Sequence, residues 1–121
     1  MDNADKVAAV HRYVEAFEKA DMDIIRDLYA DNAVVEDPVG TDPHVGKEAV
    51  LAFYEKALVS GAKLELTGNP RCAGDSVAFP FCVVMPGVRI EIIDVFRFDD
   101  AGKVVDMKAY WGPDSSVPAN D

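Results

Sequence analysis

The apolar residues of this chain follow two different periods, and this difference is what most constrains the fold. In three segments of the first half they recur every three or four residues, which is the spacing of an amphipathic helix. From about residue 62 onward they alternate or run continuously in short segments separated by turn residues, as in strands joined by hairpins. Helices followed by consecutive hairpins predict an α+β domain with a curved, mostly antiparallel sheet wrapped around three helices.

Each predicted helix carries a tyrosine toward a common interior. The apolar positions of the first helix are Val7, Val10, Tyr13, Val14 and Phe17. Asp21 can cap a second, shorter helix whose inner edge ends at Tyr29. A third helix is predicted over residues 47–58, with Phe53 and Tyr54 on its apolar side. Tyr13, Tyr29 and Tyr54 are therefore expected to share one interior.

The remaining elements are predicted strands. They span residues 33–39, 62–67, 76–85, 88–98 and a last segment around 105–111. Pro80 lies inside an apolar strand, which predicts a bulge or an edge position there. The Pro- and Ser-containing tail from about residue 112 is expected to be loose. The chain length of 121 residues predicts one domain over residues 1–121.

Asp94 interrupts an otherwise apolar row on the strand 88–98. The other members of that row are Val88, Ile90, Ile92, Phe96 and Phe98. An ionised carboxylate removed from water loses several kcal/mol unless it is paired, so burial raises the pKa of such a group and keeps it protonated. A neutral carboxylic acid can donate a hydrogen bond. A bulge that turns Asp94 outward, or a local bond to backbone, would be the structural alternatives.

Asp37 shares a strand face with Ala33 and Val35, so a second acid points toward the same interior. Two acids in one dry cavity cannot both be ionised cheaply, which predicts that their pKa values are pushed apart. Asp37 precedes a Pro- and Gly-containing turn nearer to solvent, so it is assigned the ionised, basic role, and Asp94 the neutral one. A strand-ending or turn role is the structural alternative for Asp37.

A phenol completes the candidate set, because Tyr13 can act as a second hydrogen-bond donor. Tyr29 and Tyr54 could bond to it in series, each hydroxyl polarising the next. The structural alternative is that all three are core tyrosines with satisfied hydroxyls. Two acids and a phenol facing an apolar interior suit proton transfer without a cofactor.

Composition excludes several classes of partner. The net charge of −10 opposes binding to nucleic acid or anionic lipid. No apolar run approaches the roughly 20 residues of a membrane helix, and the acidic start lacks the pattern of a signal peptide, so a cytoplasmic location is the default expectation. Cys72 and Cys82 show no zinc or disulfide pattern and are predicted in or near the core. His11 and His44 are predicted to be solvated.

The order and context of these residues resemble the ketosteroid isomerases, also called steroid delta-isomerases. The segments that carry the resemblance are Arg12-Tyr13-Val14, Leu28-Tyr29-Ala30-Asp31, Val35-Glu36-Asp37-Pro38-Val39-Gly40, Phe53-Tyr54, Ile93-Asp94-Val95-Phe96-Arg97-Phe98 and Ala109-Tyr110-Trp111. The resemblance implies a conical fold like that of nuclear transport factor 2, and a homodimer. The Pro86-Gly87 connection is shorter than is usual in the family. The rim of the pocket and the dimer packing are therefore expected to differ from those of other family members.

The resemblance also implies roles for individual residues. Asp37 would be the catalytic base, and Tyr13 and Asp94 would donate hydrogen bonds to a ketone oxygen in an oxyanion hole. Tyr29 and Tyr54 would extend the Tyr13 network. The residues expected to line the steroid pocket are Phe53, Phe81, Met107 and Trp111. Ketosteroid isomerases are a known example of enzymes in which an apolar site keeps a carboxylic acid neutral. The donor role that the resemblance implies for Asp94 and the raised pKa expected for Asp94 are therefore not independent arguments.

The activity implied is cofactor-independent isomerisation of a β,γ-unsaturated 3-ketosteroid to its conjugated isomer, a reaction of steroid and lipid metabolism. Its substrate would be small, neutral and hydrophobic. Two alternatives remain: another enzyme on the same fold, such as a dehydratase, epoxide hydrolase or cyclase, or a non-catalytic dimer that binds hydrophobic ligands. A dehydratase would want a histidine near the base, for which His44 is the nearby candidate.

Overall fold

Three α-helices pack on one face of an eight-stranded curved sheet in the computed structural model, which describes residues 1–118. The helices are α1 (Asn3–Lys19), α2 (Met22–Leu28) and α3 (Lys47–Val59). The strands are β1 (Tyr29–Glu36), β2 (His44–Val45), β3 (Lys63–Leu66), β4 (Arg71–Ala73), β5 (Ser76–Met85), β6 (Val88–Phe98), β7 (Val104–Tyr110) and β8 (Ser116–Pro118). The predicted α+β class is confirmed.

Local sequence signals set the starts of the first two helices. At the start of α1 the Asp2 carboxylate accepts a hydrogen bond from the Asp5 amide at 2.8 Å, and the Asp5 carboxylate accepts one from the Asp2 amide at 3.4 Å. At the start of α2 the Asp21 carboxylate accepts from the Asp23 amide at 2.9 Å, so the predicted cap is confirmed. Both caps satisfy amides that the first helical turn leaves without a partner.

The main path of the sheet runs in the order β2-β1-β7-β6-β5-β3, while β4 also pairs with β5 and β8 with β6. Strands β1 and β7 are parallel, and the other pairs are antiparallel. The bounds predicted for β5 and β6 are confirmed. Strand β1 begins earlier than predicted, at Tyr29, and ends before the cis Asp37–Pro38 peptide bond.

The expectation of a loose tail from residue 112 is wrong as far as Pro118. A short 3-10 helix, Pro113–Ser115, leads into β8, which pairs with residues 88–90 of β6. Strand β7 covers β6 only from Ile93 onward, so β8 pairs backbone groups that would otherwise form an open edge. Residues 119–121 of the predicted tail lie outside the described part of the chain.

Pro80 is accommodated at a local edge rather than at a bulge. It stands opposite Ile93 in the β5–β6 ladder, which has no register shift. On the other side of β5, pairing with β3 ends at Phe81 and pairing with β4 begins at Ala78. The missing proline N–H therefore falls where no strand of residues 1–118 pairs.

The core fills the space between the helices and the inner face of the sheet. Its largest fully buried side chains include Tyr29, Tyr54, Phe79, Phe96 and Ile25. Cys82 is buried and Cys72 packs against the core, as predicted. No helix within residues 1–118 is long and apolar enough to cross a membrane.

Candidate active site

A cavity of about 230 Å³ lies between α1, α3 and the inner face of β3, β5 and β6. Its apolar walls are formed by Phe17, Phe53, Ala57, Ala62, Leu64, Phe81, Val83, Met85, Ile90, Ile92 and Trp111. The polar side chains that line it are Tyr13, Asp37, Tyr54, Asp94 and, at the exposed end of α3, Ser60. The structure thus brings the three residues predicted to carry the chemistry into one cavity.

Asp94 is the most unusual of these groups, because its carboxyl group is buried without a partner. The residue is 1 % exposed, and neither carboxyl oxygen has a hydrogen-bond partner within the described residues. The pairing of β6 is regular at Asp94, so neither a bulge nor a local backbone bond accounts for it. Burial raises the pKa of Asp94 well above its ordinary value, and the charge of Asp37 raises it further. The nearby Tyr13 hydroxyl opposes this rise, but the neutral acid is favoured.

Asp37 also lines the cavity, directly after β1, and is held by a hydrogen bond. The indole Nε1 of Trp111 donates to Asp37 Oδ1 at 2.7 Å. Burial raises the pKa of Asp37, while the Trp111 hydrogen bond and the charge of His44 lower it. Because the pKa of Asp37 is raised less than that of Asp94, Asp37 is the first of the two acids to ionise.

The three buried tyrosines form a chain of hydroxyl groups that ends in the cavity. The Tyr13 hydroxyl lies 3.1 Å from that of Tyr54, which also bonds to the hydroxyl of Tyr29. Burial raises the pKa of each phenol well above its ordinary value, so all three remain neutral donors. The predicted series is confirmed as a geometry, in the order Tyr13, Tyr54, Tyr29.

Of the residues predicted to line the pocket, Met107 is the one that the structure places elsewhere. Phe53, Phe81 and Trp111 line the cavity. Met107 has no exposed surface and stands between Phe96 on β6 and Val35 on β1, both of which are also fully buried. Its side chain belongs to the core below the cavity, so the prediction for Met107 is wrong.

His44 is closer to the site than its sequence context suggested. Its imidazole is half-buried, and its ring centroid lies 4.6 Å from that of Phe53. The expectation that both histidines are solvated holds for His11, which is exposed, but not for His44. The sequence feature that indicated proximity to the site was the position of His44 shortly after the turn that follows Asp37.

The arrangement suits proton transfer on an apolar molecule. Asp37 is an acid that can ionise and accept a proton, whereas Asp94 and Tyr13 are neutral donors in an apolar environment. Donors fixed in such a site can stabilise a negative charge that develops on an oxygen atom.

Comparisons with known proteins agree on the fold and differ in chemistry. Residues 10–107 match the model of the SnoaL-like domain. A steroid delta-isomerase from Nocardioides simplex is 37% identical over 121 residues, covering 95% of this chain and 96% of that protein. The epoxide hydrolase LasB from Streptomyces lasalocidi is 32% identical over 88% of this chain, which spans only 42% of LasB. The solved structure of the epoxide hydrolase/cyclase-like enzyme SalBIII, described as having a role in pyran ring formation in the polyether salinomycin, has a TM-score of 0.88 at 26% identity, covering 98% of each chain.

Proposed function

This chain belongs to the SnoaL-like family, and on that premise we propose that it is a steroid delta-isomerase that works without a cofactor. Its substrate is a β,γ-unsaturated 3-ketosteroid, and its product is the conjugated α,β-unsaturated isomer. The observation that carries the proposal is the Asp94 carboxyl group, which is buried, unpaired within residues 1–118 and turned into the cavity that also holds Asp37. A buried polar group of this kind costs stability, so a chemical role explains it better than a structural one.

The proposed reaction moves one proton between two carbon atoms of the substrate. The Asp37 carboxylate removes the proton from the carbon between the ketone and the alkene, and the electron pair of that C–H bond enters a dienolate. The dienolate oxygen lies between the Tyr13 hydroxyl and the Asp94 carboxylic acid, which both donate hydrogen bonds to it. Asp37 then returns the proton to the far carbon of the original alkene. No atom or electron is gained or lost overall.

The two kinds of group contribute in different ways to the proposed rate. A positioned base typically accelerates proton transfer by about 10²–10⁴. Removal of one preorganised donor to an oxyanion typically costs about 10²–10³ in turnover. The Trp111 hydrogen bond supports the role of Asp37, because it holds the carboxylate in place and favours its ionised form.

The cavity supports a neutral, hydrophobic substrate. Apart from the groups already named, its walls are aliphatic and aromatic. The net charge of −10 offers nothing that attracts an anion. The volume of about 230 Å³ is below the roughly 300–1,000 Å³ of most small-molecule sites, so we expect part of the steroid to extend past the rim near Ser60.

Ultraviolet absorbance of the conjugated enone tests the proposal directly. The purified chain should convert an unconjugated 3-ketosteroid with no additive. Asp37→Asn should nearly abolish turnover and retain steroid binding, whereas Asp94→Ala should lower turnover by about 10²–10³. The matched control is Asp31→Asn, because Asp31 lies on β1, the strand that ends just before Asp37, and its side chain is 100% exposed. Turnover by Asp37→Asn close to that of the parent would remove the base assignment, and binding without turnover by the parent would favour a ligand carrier.

A second candidate function is opening of an epoxide, which the similarity to LasB and to SalBIII favours. Asp94 would give its proton to the epoxide oxygen as the C–O bond breaks, and Asp37 would take the proton of the attacking hydroxyl group. The same cavity could serve both reactions, because each needs one neutral and one ionised acid. Turnover of a hydrophobic epoxide together with no enone formation from ketosteroids would select this candidate.

A further inference from the structure

His44 lies on the same side of the sheet as the base. Strand β2 is antiparallel to β1, and His44 stands directly opposite Val35. Directly opposed residues point to the same face, and Val35 is fully buried on the inner face. Asp37 follows Val35 by two residues and lines the cavity. His44 and Asp37 are therefore diagonal neighbours on the inner side of the sheet.

The imidazole is held in this position by the wall of the cavity. Its ring centroid lies 4.6 Å from that of Phe53, with an angle of 35° between the ring planes. Phe53 lines the cavity and packs edge-on against Tyr54 at 5.0 Å. The ring of His44 thus lies behind a pocket residue and beside the end of β1, although it does not itself line the cavity.

Asp37 is the inner-face acid next to His44, because Asp94 lies on β6, which β1 and β7 separate from β2. The elements that pack on β2 are β1 and α3. The other charged residues in and next to these segments include Glu36, Asp42, Lys47 and Glu48. The Glu36 carboxylate accepts a hydrogen bond from the Gly40 amide at 2.7 Å, and Lys47 lies 3.7 Å from Asp31. Asp42 and Glu48 are exposed to solvent.

We infer that His44 is a positioning residue, which acts on Asp37 through its positive charge at acidic pH and so sets the lower pH limit of the reaction. The inference rests on the proposed function, since Asp37 is the base only in that assignment. A histidine side chain is cationic at acidic pH, and a cation beside a carboxylate favours the ionised, basic form. The direction agrees with the pKa of Asp37, which burial raises and which the Trp111 hydrogen bond and the charge of His44 lower.

Trp111 provides a readout of Asp37 that does not depend on turnover. It is the sole tryptophan of the 121-residue sequence, and its Nε1 donates to Asp37 Oδ1. Its fluorescence should change as Asp37 gains a proton, and Asp37→Asn should remove that transition. In His44→Gln we expect the midpoint to rise by about 0.5–1 pH unit, with the acidic limb of kcat/KM for enone formation moving the same way. His44→Lys keeps a positive charge and should hold the midpoint at or below that of the parent.

His11→Gln is the matched control, because His11 is the other histidine of the chain and is exposed on α1. It should leave both the fluorescence midpoint and the acidic limb unchanged. If His44→Gln does not fold, His44→Phe keeps an aromatic ring against Phe53 and should also raise the midpoint. Equal midpoints in the parent and the neutral variant would overturn the inference, as would a raised midpoint in His44→Lys. If ketosteroids are not turned over, the proposed function fails, but the fluorescence midpoints still decide the role of His44.

Discussion

The free energy of unfolding of Asp94→Asn, measured relative to that of the parent, should increase as the pH rises. Asparagine has nearly the same shape as aspartic acid and leaves a buried polar group in place, but it cannot ionise. In the folded parent, burial raises the pKa of Asp94 well above the ordinary value of 3.8. In the unfolded chain the same group ionises near that ordinary value. The substitution therefore removes one proton-linked contribution to stability and changes little else.

The sign and the slope follow from proton linkage. Between the unfolded and the folded pKa, the unfolded state has released a proton that the folded state retains. The free energy of unfolding of the parent then falls by about 1.4 kcal/mol per pH unit through this one group. Any stability contributed by the raised pKa is thus fully present below the unfolded pKa and is lost as the pH rises toward the folded pKa. Asp94→Asn lacks this slope.

Urea denaturation at a series of pH values, from about 4 to 8, measures the difference between the two proteins. Because the unfolded pKa lies near 3.8, the difference in the free energy of unfolding should already grow in favour of Asp94→Asn at the acidic end of this range, and it should level off only above the folded pKa. Asp31→Asn, at a fully exposed position of β1, controls for the loss of one negative charge at the surface. Parallel stability curves for the parent and Asp94→Asn would refute the raised pKa and with it the neutral-donor role.

Two further predictions concern the base and the assembly. Trp111→Phe removes the hydrogen bond donated to Asp37, so the acidic limb of kcat/KM should move up by about one pH unit; an unmoved limb would contradict the role given to the indole. The resemblance also predicts a homodimer. Ile93 and Tyr110 are paired across β6 and β7 on the outer face and are 50% and 49% exposed. Exposed apolar side chains of this kind are candidates for a subunit interface. Light scattering should give twice the 13.2 kDa chain mass for the parent and a monomer for Tyr110→Glu, whereas a monomeric parent would exclude the dimer.

Long strands and helices could be predicted from the sequence because their side chains repeat often enough to define a face. Burial alternates along β6 from Glu91 to Phe98, and the strand is paired on both sides by β5 and β7 over residues 93–97. The short strands β2, β4 and β8 have two or three residues and therefore no detectable period. They form because neighbouring strands leave backbone groups to be paired, which is a property of the assembled sheet and not of any local segment.

In the candidate site, the sequence could predict which face of a strand or helix a residue lies on, but not how far the residue lies from the cavity. Alternation and helical spacing correctly predicted that Asp94, Asp37 and Tyr13 point inward, and Met107 also lies on the predicted inner face of β7. What alternation cannot give is the distance of a residue along its strand from the cavity. Met107 is level with the fully buried Phe96, whereas Trp111, four residues later in the sequence, reaches Asp37. Residues that need only point inward could be assigned from the sequence, but contacts with a substrate depend on depth and had to come from the structure.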